Sequence, residues 1–160
     1  KGLAIKFALS DLREIGRTGQ GVRGIKLDKD DEVVSMSLVD PEQELLVVTE
    51  NGYGKRTPVK EYKIQVRGGK GLLTYDKSKF KKTGALIGAM VVDKDDEVLL
   101  INSEGIIIRI RANEISELGR ATQGVKIMKV QDETKIVAMA KVIKGEDETS
   151  EDKSEEQIQL

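Results

Sequence analysis

The feature that most constrains this chain is an internal repeat. Placing Gly2, Gly52 and Gly105 in register brings three segments together: Lys1-Gly2-Leu3-Ala4-Ile5-Lys6-Phe7, Asn51-Gly52-Tyr53-Gly54-Lys55-Arg56-Thr57 and Glu104-Gly105-Ile106-Ile107-Ile108-Arg109-Ile110. The same offsets, 50 and 53 residues, align Asp11 with Glu61 and Glu114, and Leu12 with Tyr62 and Ile115. They also align Arg17-Thr18-Gly19-Gln20-Gly21, Arg67-Gly68-Gly69-Lys70-Gly71 and Arg120-Ala121-Thr122-Gln123-Gly124. One gap-free offset per pair, held over roughly twenty positions, marks a single structural unit used three times.

Each unit reads as β-structure. The apolar runs 44–49 and 98–101 are each followed by a turn, Glu50-Asn51-Gly52 or Ser103-Glu104-Gly105, and then by another strand. A loop of about ten residues follows and ends in the Arg-x-x-x-Gly element. A third strand is expected at 25–27, 72–75 and 125–128, and a fourth at 33–38, 86–92 and 136–140. Single helical turns are expected at 11–14 and 113–117, and no long amphipathic helix is visible. Four strands in a unit of about fifty residues fit one blade of a propeller. Ten strands then make about two and a half blades. The expectation is an all-β, propeller-like fragment over residues 1–144, open at both ends, with units starting near 2, 52 and 105. Lys1-Gly2-Leu3 reads as a cut from a longer protein. Raw strand edges on such a piece favour self-association. Residues 145–160 hold almost nothing apolar and are expected to form an acidic, disordered tail.

Charge separates along the chain. The formal net charge is −1, from 27 Lys and Arg against 28 Asp and Glu. Seven of the acids and one base, Lys153, lie in 145–160, so residues 1–144 keep 26 bases and 21 acids, a net +5. A basic body with a short acidic tail suits a polyanion-binding protein, and charge alone fits an ordinary solvated surface as well. A tail of this sign is also able to lie over a basic rim and compete with a polyanion there.

Other chemistry is excluded by what is missing. The chain has no cysteine and no histidine, which removes disulfides, thiolate chemistry, the commonest general base and the commonest metal ligand. With no tryptophan and 3% aromatics, stacking platforms for single strands are not expected. Asp28-Lys29-Asp30-Asp31-Glu32 and Asp93-Lys94-Asp95-Asp96-Glu97 lack the spaced ligands, central glycine and terminal Glu of a calcium loop, and they fall where polar turns belong. No P-loop or serine–base pair is visible. No metal, cofactor or catalytic activity is expected of this stretch, and no apolar run approaches the roughly 18 residues of a membrane helix.

At the loop shared by the units the sequence becomes recognisable. Gln65-Val66-Arg67-Gly68-Gly69-Lys70-Gly71 resembles a gyrase A box, the basic glycine-rich heptad of the DNA gyrase A subunit, with Val66 in place of the usual basic residue. Val48-Thr49-Glu50-Asn51-Gly52-Tyr53-Gly54-Lys55-Arg56-Thr57-Pro58 resembles a stretch late in the C-terminal domain of that family. The segments 14–25 and 118–125 resemble the family's loops. The resemblance covers 1–144 and corresponds to about the last half of that domain. It implies a β-pinwheel, a wheel whose blades exchange strands. It also implies wrapping of duplex DNA around the rim, in support of ATP-dependent negative supercoiling by a type IIA topoisomerase whose active sites lie elsewhere. The implied partners are duplex DNA, the rest of a homodimeric gyrase A subunit, and the gyrase B subunit. The implied setting is the bacterial cytoplasm, at the nucleoid.

Wrapping needs positive charge spread along a curved surface, because DNA carries one charge per about 1.7 Å of axis. The repeat supplies Lys6, Arg56 and Arg109 on one strand and Arg17, Arg67 and Arg120 at the loop. Arg23, Lys26, Lys55, Lys60, Lys70, Arg111 and Lys126 lie nearby in sequence, as does Lys129, and complete the candidate DNA contacts. Lys77-Ser78-Lys79-Phe80-Lys81-Lys82 adds a basic loop to the middle unit alone. The competing role for any one lysine is a solvated face. For the recurring arginines it is a structural ion pair, with Asp11, Glu61 or Glu114 as candidate partners. For Gly68, Gly69 and Gly71 it is a tight turn. Two other functions remain open: the C-terminal DNA-steering domain of the topoisomerase IV A subunit, against which Arg67–Gly71 argues, and a propeller used for protein–protein contacts.

Overall fold

The computed structural model describes residues 1–131 and 133–143. Their strands are β1 (Leu3–Ala4), β2 (Glu44–Thr49), β3 (Tyr53–Pro58), β4 (Leu72–Leu73), β5 (Leu86–Val92), β6 (Glu97–Asn102), β7 (Ile107–Arg111), β8 (Val125–Lys126) and β9 (Ile136–Lys141). One helical turn, α1 (Phe80–Thr83), precedes β5. The strands form a four-stranded sheet in the order β5-β2-β3-β8, a three-stranded sheet β7-β6-β9 and a two-stranded pair β1-β4, all with antiparallel ladders.

The repeat is written into the pairing. Tyr53 and Gly54 pair with Lys126 and Val125, and Leu3 and Ala4 pair with Leu73 and Leu72. These are the same positions one unit apart. The strand after each loop therefore crosses to the sheet of the preceding unit, which is the strand exchange of a pinwheel. A register shift falls at Val48/Thr49 in β2 and again at Ile101/Asn102 in β6, 53 positions on. β2, central in the four-stranded sheet, is a Leu and Val run covered on both faces and is the most buried of the nine. Leu46 and Val48 of β2, Val92 of β5, Val98 and Leu100 of β6, and Ile115, Met128 and Ile136 form the core between the two larger sheets.

The described residues hold nine strands, and two of the segments expected as strands are not among them. Ile25, Lys26 and Leu27, and 33–38, are not strands. A strand exists only where it has a partner. The repeat register would pair 33–38 with a counterpart of β2 one unit earlier and 25–27 with a counterpart of β1 one unit earlier, and neither counterpart lies among the described residues. Val33, Met36 and Leu38 are consequently exposed, at 60%, 90% and 79%. The expected helical turns are present but shifted: they are 3-10 turns at Leu9–Asp11, Val59–Glu61 and Ala112–Glu114, spaced by the repeat offsets. The acidic run 145–160 lies outside the described residues.

Candidate nucleic-acid interface

Successive Arg-x-x-x-Gly loops sit against one another. In the middle unit, Arg67 Nη1 donates to the Arg23 carbonyl at 2.6 Å and Nε to the Asp11 carbonyl at 3.3 Å. The Gly68 amide donates to the Gly24 carbonyl and the Lys26 amide to the Gly69 carbonyl, both at 2.8 Å. One unit on, the arginine-to-carbonyl bond and one backbone bond recur, and a tyrosine adds a third contact. Arg120 Nη1 donates to the Leu73 carbonyl at 3.4 Å, the Asp76 amide to the Thr122 carbonyl at 3.5 Å, and the Tyr75 hydroxyl to the Gln123 carbonyl. Each loop is thus seated on the chain just beyond the loop before it, and the three form a contiguous series. Arg67 and Arg120 hold this series together through part of their guanidinium groups. Arg120 also lies over the Tyr62 ring, 5.9 Å from its centroid. Arg17, in the first loop, is exposed.

The last glycine of each loop is required by this seating. Gly71 and Gly124 have φ of +83° and +78°, and a Cβ on either would lie 2.6 Å from a backbone oxygen, that of Ala4 or of Gly54. The equivalent Gly21 has φ of +75° but open space around it. Gly124→Ala is therefore expected to destabilise the fold more than Gly21→Ala, which costs only the roughly 1–3 kcal/mol of a non-glycine residue at positive φ. Thermal denaturation of the two variants measures the difference, and equal losses would remove the close approach as a cause.

Two of the candidate contacts are buried. Arg56 is ion-paired with Glu44 through Nη1, and its Nε donates to the Ile115 carbonyl at 2.8 Å. Lys55 is fully buried; its Nζ donates to the Gly119 carbonyl at 2.6 Å and to the Arg120 carbonyl, and lies 5.9 Å from the Tyr75 centroid. Both are occupied with holding the third loop onto the middle blade, in the structural role that competed with DNA contact. The ion-pair partner is Glu44, and Glu97 one unit on, rather than Asp11, Glu61 or Glu114. Their signal was in the sequence: Glu44 and Arg56, and Glu97 and Arg109, are each twelve residues apart and superpose at the 53-residue offset.

Burial lowers the Lys55 pKa to about 8, with Glu61 opposing the shift and Arg120 adding to it. The folded value lies below the unfolded one, so the unfolded chain binds more protons between them. Stability is therefore expected to rise from about pH 8 towards pH 10 relative to a Lys55→Met variant, the comparison cancelling the groups common to both chains. A pH-independent difference between the two in urea denaturation would contradict the assignment.

The remaining bases stand at or near the surface. Arg23, Lys26, Lys60, Arg111 and Lys126 are exposed. Lys70 is 65% exposed in its side chain and lies 3.5 Å from Asp28. Arg109 pairs with Glu97 but remains 60% exposed, because among the described residues no strand pairs with the outer edge of β7. Lys6 is half-buried and donates to the Val59 carbonyl at 2.9 Å. In the box-like loop, the Gln65 amide donates to the Lys6 carbonyl at 2.8 Å, while Val66 projects from the loop, 84% exposed. The structure thus brings Arg23, Lys26, Arg67 and Lys70 together and sets Lys55 and Arg56 inside the blade. Among the described residues no group of acids or histidines is placed to hold a metal ion, and no helix is long and apolar enough to cross a membrane.

Comparison with known proteins follows the same division of the chain. The family described as DNA gyrase C-terminal domain, beta-propeller, matches residues 1–40, 43–93 and 96–143, three successive copies. The DNA gyrase A subunit of Mycolicibacterium smegmatis is 42% identical over 158 residues, covering 96% of this chain and 18% of the relative. The DNA gyrase A subunit of Thermotoga maritima is 45% identical over 134 residues, covering 82% of this chain and 16% of the relative. A solved DNA gyrase A C-terminal domain superposes with a TM-score of 0.81 at 36% identity, covering 89% of this chain and 48% of that one. A solved C-terminal domain of DNA topoisomerase IV also gives 0.81, at 22% identity, over 88% of this chain and 44% of that one. The chain thus spans under a fifth of these gyrase A proteins and about half of the solved gyrase domain. By its fold, its strand exchange and a family match that runs through all three units, this chain belongs to the family of DNA gyrase C-terminal domains.

Proposed function

We propose that this chain binds and bends duplex DNA without sequence preference, as part of the DNA-wrapping domain of a gyrase A protein. The observation that carries the reading is the contiguous series of loops 17–24, 67–71 and 120–124, seated one on the next and edged by the exposed bases Arg23, Lys26 and Lys70. Such a row offers phosphates a continuous track. It offers bases no reading head, which suits a module that wraps rather than selects. The backbone of each loop is fixed by its neighbour, so the track is preorganised. In the intact enzyme the wrapped segment would be presented to a cleavage core formed by the rest of the gyrase A protein, with the gyrase B protein supplying ATP hydrolysis. The strand-passing chemistry belongs to those parts, in the bacterial cytoplasm.

The topoisomerase IV reading shares the fold, at an equal TM-score. The higher identity to the gyrase domain, 36% against 22%, and the box-like Arg67–Gly71 favour gyrase. Supercoiling rather than relaxation by an enzyme carrying this domain separates the two. The exposed run of Val33, Met36 and Leu38 supports a further property, self-association through an open edge. Sedimentation of the isolated chain across a concentration series tests that. For DNA binding, a gel-shift titration against salt is decisive. Several phosphate contacts give a steep linear fall of log affinity with log salt, and a folded chain that leaves duplex DNA unbound at low salt would refute the reading.

A further inference from the structure

The middle unit carries an insertion that the repeat does not explain. Leu86 of β5 follows Leu72 of β4 by 14 positions, whereas Ile136 of β9 follows Val125 of β8 by 11. The added residues build a 3-10 turn, Lys77–Lys79, that runs directly into α1. This knuckle is not loose. The Asp76 carboxylate accepts from the Ser78 amide at 3.0 Å and from its hydroxyl at 2.6 Å. Thr83 is buried and its hydroxyl donates to the Lys79 carbonyl at 3.1 Å. Phe80 stacks on Tyr75 with centroids 5.7 Å apart. Asn51 ties the far end, its amide donating to the Thr83 carbonyl and its Nδ2 to the Lys82 carbonyl, both at 2.9 Å.

From this fixed backbone four exposed lysines project: Lys77, Lys79, Lys81 and Lys82. Lys82 Nζ lies 5.6 Å from the Tyr53 ring centroid, and Lys126 Nζ, from the third unit, lies 5.4 Å from the same ring. The nearby acids are engaged elsewhere: Glu50 pairs with Lys135 at 3.2 Å and accepts from the Ala85 amide, and Asp76 caps the turn. Like charges gathered at one ring repel, and an anion placed between them relieves that repulsion. The knuckle also has a telling neighbour. Its base touches the third loop, through the Asp76 amide on Thr122 and the Tyr75 hydroxyl on Gln123. Position 123 is glutamine where the middle loop has Lys70.

We propose that the knuckle 77–82, with Lys126, is a second phosphate-binding patch for duplex DNA, supplying beside the third loop the charge that Gln123 does not. The inference rests on the DNA-binding reading above and adds a site to it. Changing Lys77, Lys79, Lys81 and Lys82 together to glutamine in the chain is expected to lower affinity for a duplex of about 40 base pairs at least tenfold near 0.1 M salt. The slope of log affinity against log salt is expected to fall by about two, at roughly 0.9 per phosphate contact. The corresponding four arginines should keep both. Should the fourfold change lower the melting temperature, Lys79→Gln with Lys81→Gln, which leaves Tyr53 and its two lysines untouched, decides the matter with an expected slope loss of about one. If the unaltered chain binds DNA and the glutamine variants keep its slope, the patch is overturned while the loop series stands. If the unaltered chain does not bind, both fall.

Discussion

Arg56→Ala is expected to destabilise the fold by about 3–5 kcal/mol, whereas Arg109→Ala, one unit on, is expected to cost under about 1 kcal/mol. The two arginines form the same ion pair in the same register, with Glu44 and with Glu97. They differ in what covers them. The Arg56 and Glu44 side chains are 7% and 5% exposed, because β8 and the third loop close over β3, while the Arg109 side chain is 60% exposed. Removing Arg56 leaves a carboxylate buried without its cation and frees the Ile115 carbonyl of its donor. Removing Arg109 leaves a carboxylate that water and Arg111, 3.9 Å away, can reach. Urea denaturation of the two variants reads the difference directly, and equal losses would mean that burial is not what distinguishes the pairs. Glu44→Gln combined with Arg56→Met should recover part of the loss, since an uncharged pair leaves no buried charge behind.

Changing Arg23, Lys26 and Lys70 together to glutamine is expected to cut duplex affinity about a hundredfold or more near 0.1 M salt. The salt slope should fall by two to three, from roughly 0.9 per lost phosphate contact. These three flank the junction of the first two loops and hold no buried partner, so the melting temperature should stay within a few degrees. The opposite change tests the same surface. Val66 of the box-like loop is exposed, and Val66→Lys should raise the slope by about one and tighten binding. A triple variant that binds as the unaltered chain does would take the loop series out of the interface.

What the sequence made legible follows from the repeat. Superposing the units predicted the strand cycle, and the pairing register obeys it to the residue, as Leu3 with Leu73 and Tyr53 with Lys126 demonstrate. The misses lie where a property depends on neighbours across units. Residues 25–27 and 33–38 have strand composition, yet strands need partners, and composition does not say whether a partner is at hand. Lys55 and Arg56 looked like surface bases because charge favours water, but strand exchange drew the third loop over them and gave Lys55 two carbonyl acceptors and Arg56 one. The Glu44–Arg56 pair joins neighbouring strands of one hairpin, a contact that sequence proximity to Glu61 obscured. The basic run 77–82 was visible as charge; its rigidity, and its place beside Gln123, came only with the packing of Phe80 on Tyr75.

The central claim is that duplex DNA bends along the series of loops on this chain. Energy transfer between dyes at the two ends of a duplex of about 40 base pairs tests it most directly, since a free duplex that short, far below the roughly 150-base-pair persistence length, is nearly straight. On titration with the chain at low salt, the ends should approach and the transfer rise, and both should reverse as salt is added. Saturated binding with unchanged end-to-end transfer would contradict the claim.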